Sequence, residues 1–242
     1  IDPDKGIVNV TLANGDAHEE PYDALVISSG VTNGFWRGNA LENFAAINEA
    51  IDTASQQLLQ AHSIAIIGGG ATGVSVAANL AARQPQKDVH FFFSEAQPLP
   101  GYHPKVRARV EQHLQEVGVN LHPNHRALIP PGFKCDRFTT EPVAWSGGQE
   151  SFRADLTLWA IGNMVPNNAF IPTGMLNEGG FVKTDDHLRV QGYHNVFAVG
   201  DIAASDPHRS SARNWGYRLL GHNIRAHLEG RDGDMKRYEA PR

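Results

Sequence analysis

The 242-residue chain is 41% apolar and 19% charged, a balance that excludes a disordered protein and suits one or two globular domains. Lys and Arg number 21 against 26 Asp and Glu, a net charge of −5, which argues against nucleic-acid binding through a basic surface. The single cysteine, Cys135, excludes an intrachain disulfide framework and a cysteine-rich zinc site. No apolar run approaches the roughly 18 residues of a membrane span. The chain opens Ile1-Asp2-Pro3-Asp4 with neither Met nor a signal-peptide pattern, so an internal or processed beginning is expected.

The first block, residues 1–43, reads as strands and turns. Val8, Val10 and Leu12 alternate with polar neighbours, and Asn14-Gly15 supplies hairpin chemistry. The apolar run Ala24 to Ile27 ends in Ser28-Ser29-Gly30, the pattern of a buried strand entering a tight turn.

The second block, 44–163, has a βαβ rhythm. A helix over 44–61 is predicted with Ile47, Ile51, Leu58 and Leu59 on one side. A strand over 63–67 leads into Gly68-Gly69-Gly70, a helix follows over 71–83, and 89–93 forms a second buried strand. Val106, Val110, Leu114 and Val117 mark the next helix, which Gly118 stops. A short strand over 119–121, hairpins from 133 and a strand over 156–159 complete the block.

The third block, 164–242, predicts short strands at 181–182 and 188–190 and a buried strand Val196 to Val199 closed by Gly200-Asp201. A long helix N-capped by Ser210 or Ser211 follows, with Leu220, Ile224 and Leu228 on its buried face. The last dozen residues read as an exposed tail or the start of something further.

The chemistry concentrates in Gly68-x-Gly70-x-x-Gly73, between a strand and a helix. Gly68 allows the sharp turn, Gly70 admits a pyrophosphate to the backbone, and Gly73 lets helix pack on strand. The helix beginning at Ala71 and Thr72 offers free amides and a positive dipole end to the phosphates. A dinucleotide-binding unit usually has an acid for the adenosine ribose about 20 residues on, at the end of the second strand. Glu95 lies near that distance, two positions beyond Phe93 in the usual place, and reads either as a ribose ligand or as a solvated loop carboxylate. No Arg stands at 94–97 to meet a 2′-phosphate, which favours NAD over NADP. Asp201, just past a buried strand, is placed to accept a sugar hydroxyl or to cap its own turn.

Together these segments resemble the pyridine nucleotide–disulfide oxidoreductase class, flavoproteins with two dinucleotide-binding domains. Tyr22 to Gly30 is similar to the strand and turn between the family's FAD and NAD(P) domains. Ile66 to Val74 is similar to its NAD(P) fingerprint, and Val196 to Asp201 with Ile202-Ala203 to its second FAD motif. His103-Pro104-Lys105-Val106-Arg107 and Ser211-Ala212-Arg213-Asn214-Trp215-Gly216 most resemble the apoptosis-inducing-factor-like and ferroptosis-suppressor-like branch, which includes NAD(P)H:quinone oxidoreductases.

The resemblance implies an α/β architecture in which a Rossmann-like NAD(P)-binding domain, 44–163, is inserted between two segments of a partial FAD-binding domain, 1–43 and 164–242. It implies FAD contacts at Ser29, Gly30, Gly200, Asp201, Ser211 and Ala212. It implies NAD(P) contacts at Gly68, Gly70, Ala71, Thr72, Gly73, Glu95 and Gly162, the last lining the nicotinamide passage. The helix near Ser211 and Ala212 would favour negative charge on a reduced flavin. The family's first FAD fingerprint would lie upstream of Ile1 and its C-terminal region beyond Arg242, so the chain reads as an internal fragment whose own FAD binding is in doubt.

The implied activity is hydride transfer from NAD(P)H to FAD and electron transfer onward to a small acceptor such as a quinone. A non-catalytic redox sensor and a reductase of a protein acceptor such as ferredoxin are the alternatives. No acid–base residue is expected, since hydride transfer to flavin needs none. No nucleic-acid partner is expected, and the location would be cytoplasmic or peripheral to a membrane. A redox disulfide of the thioredoxin-reductase type is excluded by the lone cysteine; the glutathione-reductase type, with its pair upstream, stays open. Cys135 reads as a passive hairpin residue, and His122-x-x-His125 lacks further ligands at metal spacing. Trp145, Trp159 and Trp215 read as core or cofactor-cleft packing. Lys105, Arg107 and Arg109 read as a solvated helix face, with phosphate steering as the alternative.

Overall fold

The computed structural model describes residues 1–12, 14–32, 43–161, 165–207, 209, 211–212 and 215–240. The expected hairpin forms: strand β1 (Ile7–Thr11) pairs antiparallel with β2 (Ala17–Pro21), and the Asn14 side chain accepts a hydrogen bond from Asp16 N. Strands β3 (Leu25–Ile27) and β4 (Val31–Thr32) follow. Helix α1 (Phe44–Gln60), β5 (Ser63–Ile67), α2 (Ala71–Arg83), β6 (Asp88–Phe92), α3 (Pro104–Glu116), β7 (Asn120–His122) and β8 (Leu156–Trp159) carry the middle of the chain. Strands β9 (Val165–Pro166) and β10 (Val196–Ala198) and helix α4 (Gly216–Leu228) complete it. Two compact units result, one of Ile1–Thr32 with Met164–Arg242 and one of Asn33–Asn163.

The second unit is built on a fully parallel sheet in the order β7-β6-β5-β8. Alternate residues of β5 enter opposite cores. Ile64 and Ile66 pack with Val89, Phe91, Leu156 and Leu158 beneath Ala77, Ala81 and Leu114. Ala65 and Ile67 pack with Phe92, Trp159, Trp145 and Val143. Burial on both faces is why Ile64 to Ile67 reads as an unbroken apolar run. The register aligns Ile67 with Phe92 and Trp159, and Phe92 with His122, so all four strands end in one row. Gly118, at φ +87°, ends α3 as expected.

Helix α1 starts at Asn43, whose side chain accepts from Ala46 N. Its half-buried positions are Ile47, Ala50, Ala54 and Leu58, spaced by three and four, whereas Ile51 and Leu59 face outward. The expected apolar face is therefore turned, because Leu58 meets the sheet core and Leu59 does not. The hairpins expected from 133 are isolated bridges, such as Val143 with Phe152 and Thr139 with Thr157.

In the first unit β3 and β10 pair in parallel, Leu25 opposite Val196 and Ile27 opposite Ala198. Ile27, Met175, Val182, Val190, Val196, Ala198 and Ile202 form the core. Val26 faces outward, so β3 is buried on one face only, contrary to the expectation for 24–27. Segments 181–182 and 188–190 make isolated bridges rather than strands.

Helix α4 begins at Gly216, five residues after the expected cap at Ser211; Ser210 lies outside the described residues. Its buried positions are Gly216, Leu220, Asn223 and Ala226, with Leu228 exposed. The residues after it are not a loose tail. Asn223 donates to the carbonyls of His187 and Lys236 and accepts from Lys236 N, while Met235 and Tyr238 are buried.

Candidate functional site

The row of strand ends in the second unit carries a pocket of about 240 Å³ lined by Gly68, Gly69, Phe93, Ser94, His125, Arg126 and Ile161, among others. Open parallel sheets bind ligands at this end of their strands, where strand order reverses, here between β5 and β8. Gly68 has φ +124°, and a Cβ there would stand 2.5 Å from Ala160 O at the end of β8. A Cβ on Gly73 would stand 2.0 Å from Gly68 O, and one on Gly69 2.7 Å from Phe93 Cβ. These three glycines are accounted for by packing.

Gly70 is different. It has an ordinary extended backbone, and a Cβ would meet nothing within 4 Å. It N-caps α2 with no side-chain cap, and Val74 N is the first amide bonded back, to Gly70 O. The amides of Ala71, Thr72 and Gly73 thus start the helix without helical acceptors. Gly70, Ala71 and Thr72 are exposed. A bare backbone with free amides beside a pocket fits a phosphate group.

In the first unit Gly200 follows β10 at φ +84° and donates its N–H to Ser211 Oγ at 2.9 Å. Ser211 is fully buried, and Gly216 closes over it, since a Cβ on Gly216 would stand 2.0 Å from Ser211 O. Ala212 lies in ordinary contact range of Gly200. Asp201 is exposed, and its carboxylate accepts no hydrogen bond among the described residues, so it does not cap its own turn. Ser29 Oγ donates to Asn167 O at 2.7 Å, Asn167 Nδ2 donates back to Ser29 O, and Asn167 N donates to Gly30 O. Paired β3 and β10 thus bring Ser29, Gly30, Gly200, Asp201, Ser211 and Ala212 to neighbouring strand ends.

A sequence profile described as pyridine nucleotide-disulphide oxidoreductase matches residues 1–225. The chain belongs to that family. Similar proteins include apoptosis-inducing factor homolog B of Dictyostelium discoideum, 27% identical over 94% of this chain and 64% of the relative. Human ferroptosis suppressor protein 1 is 25% identical over 80% of this chain and 52% of the relative. Among solved structures, a ferredoxin reductase of Rhodopseudomonas palustris superposes with a TM-score of 0.66 at 20% identity, over 99% of this chain and 58% of that one. A water-forming NADH oxidase of Lactobacillus brevis gives 0.63 at 22% identity, over 98% and 53%. The chain therefore spans little more than half the length of these relatives. Its α/β fold with parallel sheets is that of flavin- and nicotinamide-dependent members of the pyridine nucleotide-disulphide oxidoreductase family.

Within this family member Gly68, Gly70, Ala71, Thr72 and Gly73 form one turn and helix start, as above. Glu95 is exposed and does not line the pocket; its carbonyl accepts from Asn124 N. Gly162 lies outside the described residues. Periodicity missed His125, Arg126 and Ala127, which reach the pocket from the loop after β7. The repeated apolar–glycine endings of the strands were the only signal that this loop shares their end of the sheet. A larger pocket of about 530 Å³, lined by Leu128, Phe133, Phe138 and Trp159 among others, includes none of the glycine-turn residues.

Arg107 departs from expectation. It is half-buried and holds the loop before α3, donating to Gln97 O and Pro98 O at 2.8 and 3.0 Å. Trp145 and Trp159 are core, but Trp215 is 61% exposed beneath the Arg218 guanidinium. Burial, with Asp136 beside it, pushes the Cys135 thiol up from its ordinary value.

His122 has partners that the spacing did not reveal. His90 Nε2 donates to Asp88 at 2.9 Å, which leaves His90 Nδ1 to accept from His122 Nε2, also at 2.9 Å. His122 stacks on Phe92 at 4.1 Å. No group of three metal-ligating side chains occurs among the described residues. Burial, and secondarily His90 and His125, lower His122 from 6.5 to about 4. Between these values the unfolded chain binds a proton that the folded chain refuses, so this site's stabilisation is complete above pH 6.5 and declines toward pH 4. The urea midpoint of the wild type should fall across that window, and His122→Phe should flatten the decline; an equally steep decline in the variant would contradict the assignment.

Proposed function

We propose that this chain supplies the nicotinamide-dinucleotide-binding domain, 44–163, and two segments of the FAD-binding domain, 1–43 and 164–242, of an NAD(P)H oxidoreductase with a quinone-like acceptor. The observation that carries the reading is the glycine turn: Gly70 has no packing reason to lack a side chain, and Ala71 and Thr72 beside it are exposed. A bound flavin would supply the redox chemistry, taking hydride from the nicotinamide and giving electrons to the acceptor. The protein binds and orients. The amides of Ala71, Thr72 and Gly73 take the pyrophosphate charge, and the open face of Gly70 lets it approach. Asp201 offers a carboxylate that accepts no hydrogen bond among the described residues to a sugar-alcohol hydroxyl of FAD, and Ser211 fixes the Gly200 turn. Electrostatic support for a reduced flavin would come from the first amides of α4, at Gly216 and Tyr217, since the helix starts there and not at Ser211 and Ala212.

The quinone-like acceptor rests on the resemblance of 103–107 and 211–216 to the apoptosis-inducing-factor-like branch, and similarity to proteins named for that branch supports it. No helix among the described residues is long and apolar enough to cross a membrane. The full-length protein is expected to be yellow, to lose its flavin absorbance on anaerobic addition of NAD(P)H, and to turn over with quinones faster than with ferredoxin. A colourless protein that FAD cannot reconstitute overturns the reading. Bleaching without turnover on any acceptor would make the protein a sensor.

A further inference from the structure

The acid expected to read the adenosine ribose is missing from the candidate pocket, and a base stands there instead. Phe93 occupies the usual acid position, 2% exposed and packed with Phe91 in the sheet core, so it contributes no charge. Glu95 is outside the lining, and no carboxylate lines the pocket among the described residues. Among the described residues the only side chain of fixed charge lining it is Arg126, which no chain-local pattern pointed to, because it arrives from the loop after β7.

That loop is held in place. His125 N donates to Phe93 O at 2.9 Å, Asn124 N to Glu95 O at 3.1 Å, and Ser146 N to Arg126 O at 2.9 Å. The loops after β6 and β7 are therefore bonded backbone to backbone where a ribose would emerge from the glycine turn. The Arg126 side chain is exposed, and among the described residues no ion pair or hydrogen bond competes with a phosphate for its five donors. Ser94 adds a neutral hydroxyl to the same wall. His125 Nδ1 donates to Pro123 O at 2.7 Å, which leaves Nε2 as the ring nitrogen still available to a ligand.

We propose that Arg126 gives this pocket a preference for a dinucleotide phosphorylated on its adenosine ribose, NADPH over NADH, which reverses the preference inferred from the lack of Arg at 94–97. The inference rests on the dinucleotide-binding reading of the glycine turn. A bare carboxylate in this position would accept the ribose hydroxyls and repel a phosphate dianion; an unpaired guanidinium with an apolar neighbour does the opposite. Screening by salt follows, because the arginine is exposed.

Titration calorimetry on the whole chain with 2′,5′-ADP and 5′-ADP tests both levels. The expected result is that 2′,5′-ADP binds about tenfold tighter or better, a ratio that shrinks with added salt. Arg126→Ala should bring the ratio close to one, and Arg126→Lys should restore part of it, with unchanged melting temperatures showing that the fold survives. Equal binding of the two nucleotides by the wild type, or a ratio that Arg126→Ala leaves intact, overturns the assignment of Arg126 while leaving the dinucleotide site standing. Binding of neither nucleotide overturns the dinucleotide site and this inference with it.

Discussion

Gly73→Ala should destabilise the protein by about 3 kcal/mol, whereas Gly70→Ala, three residues earlier, should change stability by no more than about 1 kcal/mol. The difference lies in what each new methyl group meets. At Gly73 it would stand 2.0 Å from the carbonyl oxygen of Gly68 and 3.0 Å from the Phe91 ring. One obstacle is backbone and the other a fully buried side chain, so α2 must lift off β5. At Gly70 the backbone is extended and the space is open. The functional effects should run the other way. A methyl group at Gly70 occupies the place where a pyrophosphate would meet the free amides of α2, and nucleotide affinity should fall tenfold or more. Urea denaturation and fluorescence titration with NADPH measure the two quantities separately. A stable Gly70→Ala protein with undiminished affinity would remove the turn from the phosphate site.

Asn223→Ala should cost about 3 kcal/mol and free the residues after α4. Asn223 is fully buried and satisfies three backbone groups: the carbonyls of His187 and Lys236 and the N–H of Lys236. Removing its amide leaves His187 O and Lys236 N without that partner, at about 1–3 kcal/mol apiece before relaxation and water entry, whereas Lys236 O keeps a bond from His187 Nδ1. Because Lys236 supplies two of the three, the loss should loosen 235–238, where Met235 and Tyr238 are otherwise buried. Urea denaturation measures the first effect, and faster tryptic cleavage at Arg237 the second. Cleavage at the wild-type rate would mean that the remaining contacts hold this segment: Tyr238 to Asp206 and to Asp186 O, His187 to Lys236 O, and Arg237 to Asp186.

The elements that could be read from the chain are those whose cause is local. Ser63 to Ile67 is apolar at every second position on both faces, and the glycines after it have few other uses between a strand and a helix. Strand β5, helix α2 and the candidate phosphate turn were therefore recognisable together. Helices α1 and α4 were recognisable as helices but not in their orientation. Periodicity finds an apolar face, yet Leu58 rather than Leu59, and Asn223 rather than Leu228, turn inward because of what lies opposite. The start of α4 was misplaced for a related reason. Ser211 is a good N-cap residue by type, but its hydroxyl accepts from Gly200, eleven residues back, and is not left to cap a helix.

What the sequence determined by itself is the order of strands, turns and helices and the glycine spacing at the phosphate turn, since these depend on backbone preference and side-chain period within a few residues. Tertiary structure alone decided which loops meet. Asn167 locks the turn at Ser29 across 138 positions, and Arg126 joins a pocket begun at Gly68. Such meetings follow from the parallel register that brings every strand of the second unit to an end in one row, and from the pairing of β3 with β10. Periodicity within the separate segments encodes neither, and only the resemblance implied that 1–43 and 164–242 share a domain.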